Sequence, residues 1–128
     1  MCNVENKNPE GYIFDFEKLQ VYKGSLQFVK NIFKISSDLP RNYQFSIGDQ
    51  IRRAALPIVN NIAEGSGKIY KKGKSQFYRI SLNSARECIP MLTLLEQEKI
   101  VGEEYIIDLR KKCIYICNML GKLIYSLN

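Results

Sequence analysis

The sequence predicts an all-α protein whose helices form a four-helix bundle. In four long segments, apolar residues recur at three- and four-residue spacing, which places them on one face of an α-helix. Short segments containing glycine or proline separate them, and no segment shows the alternation typical of a β-strand. A chain of 128 residues can bury a core of its own as one domain. We therefore expect a loose N-terminal arm over residues 1–14 and one bundle domain over residues 15–128.

The first helix is predicted over residues 15–37, with Asp15 as its N-cap and Leu39-Pro40 as its stop. It carries two apolar stripes on neighbouring faces. One stripe is Leu19, Tyr22, Leu26, Val29 and Phe33, and the other is Val21, Phe28, Ile32 and Ile35. Because a small bundle buries one stripe of a surface helix, the second stripe predicts a homo-oligomer. Phe28 and Ile32 are the residues we expect at the subunit contact.

The second helix, over residues 50–67, has the clearest pattern in the chain. Its apolar face is narrow and partly built from alanine, and consists of Ile51, Ala54, Ala55, Ile58 and Ile62. Pro57 should kink it, or else split it into two helices. We favour one kinked helix because the apolar face continues across the proline. Ser46 and Asp49 resemble a capping box before it, and Gly65 and Gly67 predict a left-handed cap after it.

Polar side chains beside this apolar face should have partners, because unpaired buried polar groups are costly. We expect Arg52, Arg53, Asn60, Glu64 and Arg79 to serve structural or subunit contacts, with Glu64 paired to one of the three arginines. Glu64 and Asn60 could alternatively be an acid–base pair, but an ion pair explains the glutamate more simply.

The positive charge is concentrated in the middle of the chain. The net charge is +6, and residues 41–86 alone carry nine basic and two acidic residues. A basic block is typical of proteins with an anionic partner, of which nucleic acid is the commonest. Solvated charges and salt bridges between subunits are the alternative.

The densest basic segment is the predicted loop over residues 67–74. Its Gly73-Lys74-Ser75 sequence lacks the earlier glycine of a phosphate-binding loop, and no strand precedes it, so we exclude nucleotide hydrolysis. Lys68, Lys71, Lys72 and Lys74 could still hold a phosphate backbone, as a sequence-independent contact. Tyr70 could stack on a base or pack on the bundle.

The third and fourth helices are predicted over residues 74–99 and 102–126, with a kink at Pro90. The expected core stripes are Phe77, Ile80, Ser84, Cys88, Met91 and Leu95 in the third, and Tyr105, Leu109, Cys113, Ile116, Leu120, Leu123 and Leu127 in the fourth. Alternating four- and three-residue spacing is typical of a bundle seam.

No catalytic residue, metal site or cofactor is predicted. The chain has no histidine, so a cysteine nucleophile lacks its usual base and the Cys113–Cys117 pair lacks two zinc ligands. We expect these cysteines to be small buried core residues. Four reduced cysteines, no signal peptide and no apolar stretch near 20 residues predict a cytoplasmic protein without a membrane span.

Four segments of the sequence resemble one known family. They are residues 16–23 (FEKLQVYK), 50–55 (QIRRAA), 57–65 (PIVNNIAEG) and 77–87 (FYRISLNSARE). Together they resemble the four-helix-bundle family of 23S rRNA intervening-sequence proteins, over about residues 14–125. Where that family more often has alanine, this chain has Val59, and its basic loop is of the longer type.

The resemblance implies an up-and-down (antiparallel) bundle that assembles into a ring, typically a homopentamer. It also implies similarity to accessory proteins of diversity-generating retroelements, which are basic rings that bind a reverse transcriptase and nucleic acid. We therefore expect a non-enzymatic, ring-forming protein that binds structured RNA or DNA through Lys68, Tyr70, Lys71, Lys72 and Lys74. The alternative is a structural or protein-interaction module whose basic residues serve subunit contacts.

Overall fold

The computed structural model describes residues 13–128, and within that range the protein is all-α. Its four long helices are α1 (Gln20–Asp38), α2 (Asp49–Ser66), α3 (Lys71–Gln97) and α4 (Glu103–Ser126). The described part of the chain contains no β-strand. Most of the predicted N-terminal arm, residues 1–12, lies outside the described residues.

Contacts between helices show an up-and-down arrangement. The end of α2 lies against the start of α3, where Gly65 approaches Tyr78. The middle of α3 lies against the middle of α4, where the Cys113 thiol donates to the Ala85 carbonyl at 3.3 Å. Near its start, α1 meets the C-terminal half of α4, at Gly24 and Met119. Each helix is thus antiparallel to its neighbours, and α1 packs against both α2 and α4.

Helix α1 begins later than the sequence predicts. A 3₁₀ turn, Asp15–Lys18, comes first, and the extended backbone of Leu19 separates it from α1. Asp15 is therefore not the N-cap of α1. The start of the 3₁₀ turn is closed by Glu17, whose carboxylate accepts from the Phe14 N–H at 3.2 Å. The Phe16 ring meets the Tyr22 ring edge-on at 5.1 Å, which fixes this turn against α1.

The two stripes of α1 have different environments. Val21, Phe28, Ile32 and Ile35 point into the core of the chain itself, and Phe28 and Ile32 are fully buried there. The expectation that Phe28 and Ile32 contact another subunit is therefore wrong, because neither side chain reaches the surface. In the other stripe, Val29 is buried, Tyr22 and Leu26 are half-buried, and Phe33 is 39% exposed.

The connection between α1 and α2 is helical. A short turn, Arg41–Tyr43, and a π-helical turn, Gln44–Gly48, lead directly into α2. The Gln44 side chain donates to the Leu39 carbonyl at 2.9 Å, which satisfies an acceptor at the end of α1. The predicted capping box is absent, because the Ser46 hydroxyl donates to the Tyr43 carbonyl and Gly48 holds the N-cap position.

Helix α2 continues through Pro57 as one helix, as favoured from the sequence. The Asn61 side chain donates to the Pro57 carbonyl at 2.8 Å. The predicted left-handed cap is wrong: Gly67 has φ −83°, in the right-handed region. Instead, the Lys74 ammonium reaches back and donates to the Ser66 carbonyl at 2.8 Å. A cation from α3 thereby satisfies the end of α2, so a left-handed residue is not needed.

The seam between α2 and α3 is tight at two places. A Cβ atom at Gly65 would lie 2.8 Å from the Tyr78 ring, closer than real contacts allow. One turn further along, the buried Ser81 hydroxyl donates to the Ile58 carbonyl at 2.8 Å. The predicted stripe of α3 is therefore wrong at its start: Tyr78 and Ser81 enter the core, while Ile80 is 41% exposed. Gly65 makes the space that Tyr78 occupies.

Helix α4 follows its predicted seam most closely. Leu109, Cys113, Ile116 and Leu120 are buried as expected. At the ends the stripe shifts by one residue, since Ile106 and Ile124 are buried in place of Tyr105 and Leu123. None of the helices within residues 13–128 combines the length and the apolar character of a membrane-spanning segment.

Candidate nucleic-acid interface

The predicted basic loop is in fact a short connection followed by the first turn of α3. Only residues 67–70 lie between the helices, and α3 begins at Lys71 instead of residue 74. Lys71, Lys72 and Lys74 are therefore helical. The predicted start of α3 at residue 74 is wrong because the apolar periodicity of the helix does not extend to these polar residues. Lysine is nevertheless a good helix former.

Two of the four lysines make contacts within the chain. The Lys68 ammonium lies 3.6 Å from the Glu64 carboxylate and 5.0 Å from the centre of the Phe77 ring. Lys74 closes the end of α2 through Ser66. Both lysines therefore contribute to the local structure, and neither is a purely solvated charge.

The other two lysines are exposed and lie close to an arginine. Lys71 and Lys72 line one open groove with Arg79, at the end of the bundle where α4 finishes. The groove is completed by Ser75, Gln76, Leu127 and Asn128. The Arg79 guanidinium donates to the Ser75 hydroxyl at 3.2 Å, which turns it along the first turns of α3. We call residues 68–74 together with Arg79 the basic tip.

Arg79 was expected to serve a subunit contact, and the structure places it beside the lysines. Residues seven apart lie on the same side of a helix, so Lys72 and Arg79 share a face of α3. A sequence-based prediction that began the helix at Lys71 would have placed Lys72 and Arg79 on one face.

The connection itself exposes two large side chains. Ile69 is 88% exposed and Tyr70 is 79% exposed. The alternative that Tyr70 packs on the bundle is therefore wrong. Ile69 was not singled out from the sequence, because a single isoleucine in a polar loop shows no periodicity.

The electrostatics at the start of α3 favour an anion. Tyr70 occupies the N-cap position without a side-chain hydrogen bond, and the first turn contains no acidic residue. The N-terminal end of a helix carries partial positive charge, and cations there are unfavourable. Lys71, Lys72 and Lys74 add full positive charges to that end, and a bound anion would offset this repulsion.

The remaining arginines of the basic block lie elsewhere. Arg52 and Arg53 are at the other end of α2, an 18-residue helix that spans roughly 27 Å. Both contact Asp49, at 3.8 and 2.9 Å, and Arg52 also donates to the Gln44 carbonyl. The charge excess of residues 41–86 is thus not confined to the basic tip.

Comparison with known proteins identifies the family. Residues 17–122 match the family described as 23S rRNA-intervening sequence protein. The chain belongs to this family. This confirms the resemblance inferred from the four sequence segments. No functionally curated protein shows significant similarity to the chain.

The fold of this family member also matches a solved structure. That structure is a protein of unknown function from the S23 ribosomal protein family of Bacteroides thetaiotaomicron. The TM-score is 0.77 at 24% identity, over 82% of this chain and 95% of that one. At this identity the likeness concerns the fold.

Glu64, part of the segment 57–65 that resembles the family, does not have the expected partner. Within residues 13–128 its ion pair is with Lys68 on the same helix, and its side chain is 61% exposed. The expected pairing with Arg52, Arg53 or Arg79 is therefore wrong within the chain. Asn60, also expected at a contact, is exposed on α2.

Nothing in the family match or in the described residues indicates enzymatic activity. Residues 13–128 contain no group of three or more cysteine, aspartate or glutamate side chains placed to hold a metal ion. Cys88 and Cys113 are buried core residues, as predicted, whereas Cys117 is only partly buried.

Proposed function

We propose that this protein is a non-enzymatic, homo-oligomeric nucleic-acid-binding protein, and that structured RNA is its ligand. The observation that carries the proposal is the basic tip, where exposed Lys71 and Lys72 share one open groove with Arg79 at an uncapped helix start. Convergent cations at a helix N-terminus suit a phosphate group. The family's name refers to 23S rRNA, which favours RNA over DNA as the first ligand to test.

The chemistry of the tip indicates how it would bind. Lysine and arginine contacts to phosphates position a protein on nucleic acid without selecting a sequence. Tyr70, 79% exposed beside these cations, could stack on an unpaired base in a loop or bulge. We therefore expect affinity that depends strongly on salt and little on sequence.

Assembly would multiply this surface. We propose a ring, with five subunits as the resemblance implies, in which the half-exposed stripe of α1 takes the place of Phe28 and Ile32 at the subunit contact. Tyr22, Leu26 and Phe33 carry that stripe, and Leu56 of α2 is 45% exposed. Cyclic symmetry repeats any surface around the ring, so the basic tips of all subunits would lie on one rim.

A protein-interaction module is the second candidate function. It is favoured by Ile69, whose 88% exposure at the end of the bundle suits an apolar contact better than a phosphate. A reverse transcriptase is the protein partner that the family resemblance implies. In this alternative the exposed lysines would face acidic groups of a partner or of a neighbouring subunit.

The deciding experiment compares two charge-reversal variants for RNA affinity over a salt series. The first is Lys71→Glu/Lys72→Glu, which changes the basic tip but spares Lys74 because Lys74 closes α2. The matched control is Lys34→Glu/Lys111→Glu, which reverses two exposed lysines on α1 and α4 and changes the net charge equally.

We expect the tip variant to lose RNA affinity and to show a flatter dependence of log K on log salt, since each phosphate contact contributes a slope of about 0.9. The control should bind nearly as well as wild type. Equal affinities for the two variants, or no RNA binding by wild type at low salt, would favour the protein-interaction module.

A further inference from the structure

The seam between α3 and α4 contains three thiols that the basic tip does not use. Cys88 and Cys113 are fully buried there, whereas Cys117 is partly exposed. Cys117 lines an open groove between the two helices, which we call the α3–α4 groove. Its other lining residues are Leu82, Arg86, Ile89, Cys113, Ile114 and Asn118. Of the three cysteines, Cys117 is therefore the residue that is open to solvent, whereas Cys88 and Cys113 are covered.

The charges and donors around this groove distinguish Cys117 from its neighbours. Interaction with the neighbouring Cys113 side chain lowers the pKa of Cys117, burial opposes this, and the positive charge of Arg86 lowers that pKa further. The same pairing raises the pKa of Cys113, and burial adds to the rise. Arg110 acts in the opposite direction on Cys113. Burial, with the nearby Glu87 carboxylate, raises the pKa of Cys88 to about 12.

We propose that Cys117 is a site of S-thiolation by small anionic disulfides, the class formed by oxidised low-molecular-weight thiols that carry carboxylates. The groove gives such a disulfide access, and Arg86, which lines the groove with Cys117, attracts its carboxylate. This site lies apart from the residues of the proposed RNA contact.

The reaction is a thiol–disulfide exchange. The Cys117 thiolate attacks one sulfur of R–S–S–R, a Cys117–S–S–R bond forms, and R–S⁻ leaves as the old disulfide breaks. One disulfide is exchanged for another, so no external oxidant or reductant is required. The attacking group must be the thiolate, which the contacts with Cys113 and Arg86 favour.

The mixed disulfide should persist because Cys113 is a poor resolving thiol. Cys113 is buried and donates to the Ala85 carbonyl at 3.3 Å, so its thiolate is disfavoured. Residues four apart on a helix also have Cβ atoms about 5–6 Å apart, whereas a disulfide requires about 3.5–4.5 Å. Each chain should therefore accept one group, at Cys117, and remain modified.

The test uses 5,5′-dithiobis(2-nitrobenzoate), an anionic aromatic disulfide, with the folded chain of residues 1–128 carrying Cys2→Ser. That substitution removes the cysteine outside the described residues. We expect one equivalent of thiolate to be released rapidly per chain, and peptide mass mapping to place the adduct on Cys117. The pH of the half-maximal rate should lie below about 8.5, the pKa of an ordinary cysteine.

Three variants separate the contributions of Cys117, Cys113 and Arg86 to the reaction with the disulfide. Cys117→Ser should abolish the rapid phase, and Cys113→Ala should raise the pH of the half-maximal rate. Arg86→Gln should slow the anionic reagent severalfold more than the neutral reagent 4,4′-dithiodipyridine, which isolates the charge of Arg86. The mapping experiment on the chain that carries only Cys2→Ser remains decisive if a further variant does not fold, as judged by circular dichroism.

Three results would overturn the proposal. They are no rapid phase in the folded chain, an adduct on Cys88 or Cys113 ahead of Cys117, and release of two equivalents with a Cys113–Cys117 disulfide detected by mass. Equal slowing of the anionic and neutral reagents by Arg86→Gln would exclude the anionic preference.

Discussion

The two apolar stripes of α1 are similar in the sequence and different in the folded chain. Phe28 and Ile32 are fully buried among the helices of their own bundle. On the neighbouring face, one residue further along, Phe33 is 39% exposed, and Tyr22 and Leu26 are half-buried. Both stripes consist of aromatic and aliphatic residues at helical spacing, so their composition does not distinguish them.

The difference shows what helical periodicity leaves open. Spacing identifies which residues share a face, because that depends only on the 3.6-residue repeat. Which face is covered depends on where the other helices lie, and these are distant in sequence. Helix α1 packs between α2 and α4, and the stripe on that side becomes the core.

The largest expected effect comes from placing the same charge on each stripe. Ile32→Asp would place a carboxylate without a partner at a fully buried position. This costs several kcal/mol, which is a large fraction of the unfolding free energy of a small domain. Phe33→Asp places the carboxylate in contact with solvent. We expect circular dichroism to show an unfolded or much less stable Ile32→Asp protein and a helical Phe33→Asp protein. Equal losses of helix would mean that the two stripes do not differ.

The second prediction concerns assembly. If the exposed stripe forms the subunit contact, Leu26→Asp/Phe33→Asp should convert the oligomer to a monomer of 14.8 kDa without loss of helix. Light scattering at micromolar concentration measures this directly. The control is Lys34→Asp, an exposed position of α1 that is turned away from Leu26 and Phe33, which should leave the oligomer intact. A wild-type monomer would remove the basis for the proposed ring.

Much of the fold could be predicted from the sequence, and the seam of α4 shows why. Leu109, Cys113, Ile116 and Leu120 are buried as predicted, since this stripe is the clearest apolar face of its helix. The sequence-based predictions are wrong where a contact with a residue distant in sequence decides which side chain is buried. The first turns of α3 are shifted because Gly65, on another helix, makes room for Tyr78.

The candidate site was predictable in composition but not in geometry. The density of lysines over residues 68–74 indicated a basic surface, and Lys71 and Lys72 are indeed exposed. The role of Lys74 at the end of α2 and the position of Arg79 depend on where α3 begins. No local pattern marks that start, because its first residues are polar and uncapped.

The third prediction extends the comparison of covered and uncovered positions to glycines inside helices. Gly65→Ala would force a methyl group against the Tyr78 ring, and we expect a loss of about 1–3 kcal/mol in unfolding free energy. Gly121→Ala has no atom within 4 Å of the new Cβ, and should gain about 0.5–1 kcal/mol from helix propensity. Urea denaturation should show a decrease in unfolding free energy for Gly65→Ala and an increase for Gly121→Ala. A neutral Gly65→Ala would mean that the Tyr78 ring moves aside at little cost.

The smallest expected effect is at Glu64, where the sequence pointed to a large one. A buried pair with an arginine would have cost several kcal/mol to break, because the arginine would be left uncompensated. The structure instead shows an exposed pair with Lys68 at 3.6 Å, four residues apart on α2. Pairs of this kind contribute about 0.3–0.5 kcal/mol and are screened by salt.

Glu64→Ala should therefore change unfolding free energy by no more than about 0.5 kcal/mol. The measurement is best made by urea denaturation in the Leu26→Asp/Phe33→Asp background, where contacts between subunits are removed. An arginine of a second subunit could still reach Glu64 in the oligomer, and the same substitution would then weaken assembly of the wild-type protein. A large loss in the monomeric background would instead show that Glu64 has a buried partner within its own chain. A loss confined to the oligomer would place Glu64, 61% exposed in the isolated chain, at the subunit contact.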